Sequence, residues 1–201
     1  MDLTLQGIVN AFVAMPAWEV LAVVLGITYV ILAAKESLWA WGFAFFSTVI
    51  YTILFWEGAL VSSSFLNLYY MVMAVYGFIL WRSGENGEEL EISVWENHRI
   101  LTVIFVGVLV SFATGYISQT YADAKHAYLD AFVMIFSIIA TWMLAKKILQ
   151  TWLMWIVIDS AAVVLYWKSG YHATIILFVL YVILAFYGYS SWWKTYHDSR
   201  P

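Results

Sequence analysis

The stretch Ile100-Leu-Thr-Val-Ile-Phe-Val-Gly-Val-Leu-Val-Ser-Phe-Ala-Thr-Gly-Tyr-Ile-Ser118 contains no charged side chain. An α-helix needs roughly 20 such residues to cross the ~30 Å hydrocarbon core of a bilayer. Only a helix or a closed barrel satisfies its backbone there, where no water competes for hydrogen bonds. Outward from this segment the same reading applies to Trp18–Ala34, Leu38–Trp56 and Leu60–Trp81 on one side, and to Tyr128–Ala145, Leu149–Trp167 and His172–Trp193 on the other. The predicted fold class is an all-α integral membrane protein with seven transmembrane helices in one domain, residues 1–201.

Composition agrees. Of 201 residues, 64% are hydrophobic and 11% charged, whereas soluble domains carry about 45–50% apolar and about 25% charged residues. There is no cysteine, which removes disulfides and thiolate metal sites from consideration. A net charge of −4 argues against a nucleic-acid partner. The first fifteen residues lack the basic start and small-residue cleavage site of a secretory signal, so the first helix is expected to be its own insertion signal. The one long polar stretch, Arg82–Arg99, with Gly84, Gly87 and five glutamates, reads as a solvated loop. Trp39, Trp56, Trp81, Trp167, Trp192 and Trp193 fall at helix ends, where an aromatic belt sits.

Basic residues orient the chain. Lys35, Arg82, Arg99, Lys146, Lys147, Lys194 and Arg200 lie on the side reached after helices 1, 3, 5 and 7, and only Lys125 and Lys168 on the other. The first side is predicted to be cytoplasmic, leaving the N-terminus outside and the C-terminus inside.

Shifting the chain by 111 residues aligns it with itself: Ala34-Lys35 falls on Ala145-Lys146, Trp41 on Trp152, and Phe55-Trp56 on Tyr166-Trp167. The longest match is Tyr70…Tyr76-Gly77-x-x-x-Trp81 on Tyr181…Tyr187-Gly188-x-x-x-Trp192. Helices 1–3 (18–81) and 5–7 (128–193) then form two repeats, joined by a linker helix at 100–118. Four crossings separate helix 1 from helix 5, so the repeats run parallel, a transporter plan with its site between them. A 3+1+3, SWEET-like arrangement is expected.

Polar residues on helical stripes mark the candidate interior. Trp152, Trp155, Asp159, Ala162 and Tyr166 share one face of helix 6. A carboxylate at midspan costs about 2.5–3.5 kcal/mol on insertion scales, so Asp159 must face protein or a polar cavity, either on the substrate path or tethering a neighbouring helix. Helix 3 presents Asn67, Tyr70, Ala74, Gly77 and Trp81, helix 7 presents Tyr181, Ala185, Gly188 and Trp192, and helix 5 lines up Asp130, Met134, Ser137 and Thr141. The two glycines read as packing positions. Asn67 wants a partner from a ligand or another helix. Glu19 and Asp130 lie near the outer surface, where they can reach water. Such an interior suits flat, cationic rings, through cation–π attraction of about 0.5–2 kcal/mol. Phosphates would want arginine instead.

Three segments carry a family resemblance: Tyr128-Leu-Asp-Ala-Phe, Ala145-Lys-Lys-Ile-Leu-Gln-Thr-Trp152-Leu-Met-Trp155-Ile-Val-Ile-Asp159, and Leu165-Tyr-Trp-Lys-Ser-Gly170. Together with Asn67…Tyr76-Gly77…Trp81 they resemble the bacterial Pnu vitamin transporters, over almost the whole chain. The resemblance implies a SWEET-like seven-helix fold in the bacterial inner membrane. It also implies facilitated diffusion of a small-molecule vitamin, with a cytosolic kinase trapping it as the phosphate. No cofactor is implied, and a homo-oligomer fits the plan. By match to the family, Trp152, Trp155, Asp159, Asn67, Tyr76 and Trp81 carry over. With the stripe residues, the expected substrate-binding set is Asn67, Tyr70, Trp81, Ser137, Thr141, Trp152, Trp155 and Tyr181. Asp159, Tyr76 and Tyr166 are expected as gate or structural polar groups. The family has nicotinamide riboside, thiamine and riboflavin branches. The nicotinamide riboside branch has Gln where Asn67 stands and Ser-Phe-Thr-Thr after the helix 5 aspartate, where this chain reads Asp130-Ala-Phe-Val. Fewer hydroxyls for a ribose diol favour thiamine, with nicotinamide riboside as the alternative.

Other classes fit less well. An intramembrane enzyme needs a nucleophile–base pair, but His98, His126, His172 and His197 fall in loops or at helix ends. A channel wants a filter loop or charged rings, and neither is visible. An ion-coupled symporter would have Asp159 titrate.

Overall fold

A computed structural model describes residues 16–57, 61–84, 90–122, 125–170 and 172–199. The expected helix start at Leu60, the loop residues Glu85, Gly87, Glu88 and Glu89, and Arg200 lie outside the described residues. Among the described residues there are seven helices: α1 Ala17–Ala34, α2 Trp39–Glu57, α3 Val61–Ser83, α4 Asn97–Ala122, α5 Ala127–Ala145, α6 Thr151–Ser169 and α7 His172–Asp198. Each falls on its predicted segment, with α2 and α6 beginning one and two residues later than expected and α4 and α7 running further. Among the described residues, five helices are long and apolar enough to cross a membrane, and Trp39–Leu54 is a shorter apolar helix. The outward faces expose Phe105, Phe112, Phe46 and Ile183 at more than half their area. Such a continuous apolar exterior belongs in lipid. The chain is an all-helical membrane protein.

Packing follows a ring. Helix α1 lies on α2, α2 on α3, α3 on α5, α5 on α6, α6 on α7, and α7 returns to α1; α4 touches only α5. It does so through Gly107, Ser111 and Gly115, its buried residues, spaced four apart. Small residues let two backbones approach when apolar burial offers nothing over lipid.

One tight turn occurs twice. After α1, the Glu36 N–H bonds the Ala33 carbonyl at 3.0 Å and the Ser37 N–H bonds Leu32 at 2.9 Å. After α5, Lys147 bonds Leu144 and Ile148 bonds Met143, each at 3.0 Å. Glu36 and Lys147 both take left-handed backbone angles, φ 55° and 49°, a conformation costly for any side chain with a Cβ. In both turns the chain reverses sharply, with four residues between α1 and α2 and five between α5 and α6.

Glycine closes the helix contacts on either side. A Cβ on Gly77 would lie 2.4 Å from the Trp41 ring, and one on Gly188 would lie 2.5 Å from the Trp152 ring. Both glycines therefore act in packing, as expected. Trp81 and Trp192 depart from the belt assignment. Trp192 is fully buried and donates its indole Nε1–H to the Ala33 carbonyl at 3.0 Å, while Trp81 donates to Ala145 at 3.0 Å. Their places at the ends of apolar segments suggested an interface position, and only the ring closure reveals a partner across it.

The 82–99 loop is also not simply solvated. Ile92 is buried, the Ser93 N–H bonds the Lys147 carbonyl and the Leu149 N–H bonds the Ser93 carbonyl, both at 2.9 Å. Gln150 clasps the Trp95 backbone, donating to its carbonyl at 2.8 Å and accepting from its N–H at 3.2 Å. The acidic average of the loop masked the apolar Ile92-x-Val94-Trp95 core that docks on the α5–α6 turn.

Substitution at the two seats tests the packing. Gly77→Ala and Gly188→Ala should each lower stability in detergent by about 1–3 kcal/mol, since buried indoles cannot yield to overpacking. Gly42 has nothing within 4 Å of a Cβ, so Gly42→Ala should be neutral or stabilise by up to about 1 kcal/mol through helix propensity. Thermal melts of the three variants in one detergent decide this.

Candidate functional site

The ring encloses a cavity of about 110 Å³. A cavity of roughly 150 Å³ accommodates benzene, so this one is ring-sized. Helix α1 contributes Gly26 and Tyr29, α2 contributes Trp41, Ala44, Ser47 and Thr48, and single residues come from α3 (Tyr70), α5 (Thr141) and α6 (Trp155). Gly26 is needed here for room: a Cβ would meet the Tyr181 hydroxyl at 3.1 Å and Ser47 Oγ at 3.5 Å.

The wall holds aromatic faces and hydroxyls and no ionised side chain. Each serine and threonine hydroxyl proton of the wall is already committed to a backbone carbonyl: Ser47 to Ala22 at 2.8 Å, Thr48 to Ala44 at 2.9 Å, and Thr141 to Ser137 at 2.8 Å. What these oxygens still offer a guest is lone pairs. The Trp41 indole is 1% exposed, and its Nε1–H has no partner. A buried donor left unmatched costs about 1–3 kcal/mol. Trp152, 111 residues on, also keeps an unmatched Nε1–H but does not line the cavity. Behind the wall, Tyr70 is hydrogen-bonded with Ser137, and Asp159 lies within electrostatic reach of Tyr70 and Tyr181. Asp159 is 4% exposed.

The sequence-derived residues divide accordingly. Tyr70, Thr141 and Trp155 line the cavity; the Tyr181 hydroxyl abuts its wall at Gly26; Ser137 supports Tyr70. Trp81 and Trp152 sit instead in a chain of indoles, with Trp152 edge-on to Trp192 at 5.5 Å and Trp81 edge-on to Trp41 at 5.3 Å. Asn67 is buried on α3 but is not a wall residue. Tyr76 is 37% exposed, and Tyr166 stacks on Phe178 with centroids 5.1 Å apart. Sequence reasoning missed the α2 contribution. Its signal was present in the spacing of Trp41, Ala44 and Thr48, small and polar positions recurring on one face of an otherwise apolar helix.

Residues 16–194 match the sequence profile of the family described as nicotinamide mononucleotide transporter. A riboflavin/roseoflavin transporter of Streptomyces davaonensis, RibM, is 26% identical over 186 residues, covering 89% of this chain and 85% of that protein. The nicotinamide riboside transporter PnuC of Escherichia coli is 20% identical over 200 residues, covering 87% of this chain and 84% of its own. The crystal structure of the vitamin B3 transporter PnuC superposes with a TM-score of 0.76 at 22% identity, over 96% of this chain and 87% of that one. That likeness establishes a shared fold. With its profile matched across nearly the whole length, the chain belongs to the nicotinamide mononucleotide transporter family.

Proposed function

We propose that the protein carries an unphosphorylated, flat, cationic vitamin across the bacterial inner membrane by facilitated diffusion, with a cytosolic kinase retaining the product. The carrying observation is the cavity: aromatic faces and lone pairs at the centre of a helix ring, without a basic side chain in its wall. Cations gain from π faces, whereas a phosphate would find no arginine fork among the described residues of the wall. The family's named members, carriers of nicotinamide riboside and of riboflavin, support a vitamin as cargo.

Thiamine is the favoured substrate. It has a thiazolium charge and a flat aminopyrimidine but no sugar, and the serine and threonine hydroxyls of the wall, already spent on carbonyls, offer little donation to a ribose diol. Nicotinamide riboside is the second reading, favoured by the name of the Escherichia coli relative. Tyr70, Thr141, Trp155 and Tyr181 are proposed to contact the vitamin. Asp159, within electrostatic reach of Tyr70 and Tyr181, is proposed as a gate or structural polar group behind them. The architecture supporting this is two parallel three-helix repeats, 18–81 and 128–193, joined by the linker helix in SWEET-like order. The twin turns 111 residues apart and the ring of helix contacts support that plan. Seven of nine basic residues support an outside N-terminus.

Three measurements check this. A reporter fused after Pro201 should be cytoplasmic and one before Met1 external; a periplasmic C-terminus would overturn the orientation. Uptake into vesicles should equilibrate without exceeding the outside concentration and should ignore proton and sodium gradients; accumulation without a kinase would reveal a coupling ion. In calorimetry, thiamine should outcompete nicotinamide riboside and riboflavin, and thiamine pyrophosphate should bind poorly. Gly26→Ile, which fills the cavity, should cost at least about tenfold in affinity, or about 1.4 kcal/mol. Tighter binding of nicotinamide riboside would replace the substrate, and undiminished binding to Gly26→Ile would move the site elsewhere.

A further inference from the structure

Four indoles form an unbroken chain from one side of the ring to the other. Trp41 meets Trp81 edge-on, with centroids 5.3 Å apart and planes at 86°, and Trp152 meets Trp192 edge-on at 5.5 Å and 87°. Trp81 and Trp192 meet each other at 6.1 Å. Shifting by 111 residues exchanges Trp41 with Trp152 and Trp81 with Trp192, so the chain maps onto itself. Its two middle members reach across in opposite senses. Trp81, from α3, donates to the end of α5 at Ala145, and Trp192, from α7, donates to the end of α1 at Ala33.

Above this chain lies one ion pair, whose partners are also 111 residues apart. Lys147 Nζ donates to Glu36 Oε2 at 2.8 Å, with side chains only 12% and 22% exposed. The same ammonium lies 5.1 Å from the centre of the Trp81 ring. Order along the path is then defined by contacts. The cavity wall includes Trp41, Trp41 touches Trp81, Trp81 underlies Lys147, and Lys147 holds Glu36 at the ends of α1 and α5.

We propose that the four tryptophans are a gate between the cavity and the membrane face at the α1 and α5 C-termini, and that the Glu36–Lys147 pair is its latch. The inference rests on the uptake function above. Two positions related by a 111-residue shift can touch each other only where the two halves meet. A contact there is broken by any motion that parts the halves, and by little else. The left-handed backbone at both residues turns their side chains out of the two helices towards each other, at a conformational cost that needs an offsetting partner. Parting the halves also breaks both indole bonds, so the gate opens as a unit. The matched pairing makes the latch indifferent to which half carries which charge.

A thiol placed in the cavity reads the gate directly, because the chain has no cysteine of its own. In Thr48→Cys protein, a membrane-impermeant maleimide is applied from either face of oriented membrane vesicles. Glu36→Gln or Lys147→Met should speed labelling from the latch face by about tenfold, between the small effect of an exposed pair and the large effect of a buried one. The reversed pair, Glu36→Lys with Lys147→Glu, should restore the parent rate. Labelling unchanged in the single variants, or accelerated equally from both faces, overturns the latch. Should the single variants fail to reach the membrane, the reversed pair decides: the parent rate supports the latch and a faster rate refutes it. The assay uses no vitamin. A chain that transports none yet shows this pattern keeps its gate and loses the uptake reading, while normal uptake with unchanged labelling does the opposite.

Discussion

An indole laid against a glycine is the contact on which the rest of this structure depends. Lipid solvates apolar side chains as well as protein does, so helices in a membrane associate through close packing and hydrogen bonds. At Gly77 and Gly188 the missing Cβ lets Trp41 and Trp152 press onto the helix backbone at distances no other residue permits. Each contact holds together two helices of one half of the ring, α2 to α3 and α6 to α7. With those pairs set, Trp81 and Trp192 are aimed at the opposite half, where Ala145 and Ala33 accept their N–H groups. Closure of the ring, and hence the cavity, follows from two glycines and four tryptophans.

The fold was largely legible because its main constraint is one-dimensional. A span must be long and apolar whatever its neighbours are, so all seven helices could be found from local composition. The self-match at an offset of 111 residues was visible too, through Tyr-Gly-x-x-x-Trp. Its meaning was not. Trp81 and Trp192 at helix ends resemble belt residues, and a belt residue and a cross-ring donor differ only in what stands opposite. The 90–96 segment was hidden for a related reason: five glutamates dominate the average of its loop, while docking depends on Ile92 and on the reach of Gln150 from another helix.

The candidate site was half legible. Stripes on α3, α5 and α6 yielded Tyr70, Thr141 and Trp155 because large or polar groups stand out against an apolar helix. Helix α2 contributes more of the wall than any other helix, with Trp41, Ala44, Ser47 and Thr48, which are small or unremarkable in a sequence this rich in aromatics. Serine and threonine can satisfy themselves on their own helix, so their presence in a membrane span carries little information until the cavity is seen. Asp159 shows the reverse. A buried carboxylate was conspicuous in the sequence, yet it is not among the residues of the cavity wall.

The absence of ionised groups from the cavity wall bears on how transport can work. A carrier that moves cargo down its gradient gains nothing from holding it tightly, since a strongly bound state must be left again on the far side. Stacking surfaces give selection for ring shape with modest affinity, because cation–π and neutral hydrogen-bond terms are each of order 1 kcal/mol. A phosphate added to the cargo changes this balance sharply. It brings charge that no arginine in the wall meets, and a desolvation penalty of several kcal/mol that nothing there offsets. A site of this kind therefore distinguishes a vitamin from its phosphate by what it lacks. Under the facilitated diffusion proposed above, retention inside the cell would require no energy input from the carrier, only an enzyme that changes the cargo after it has passed.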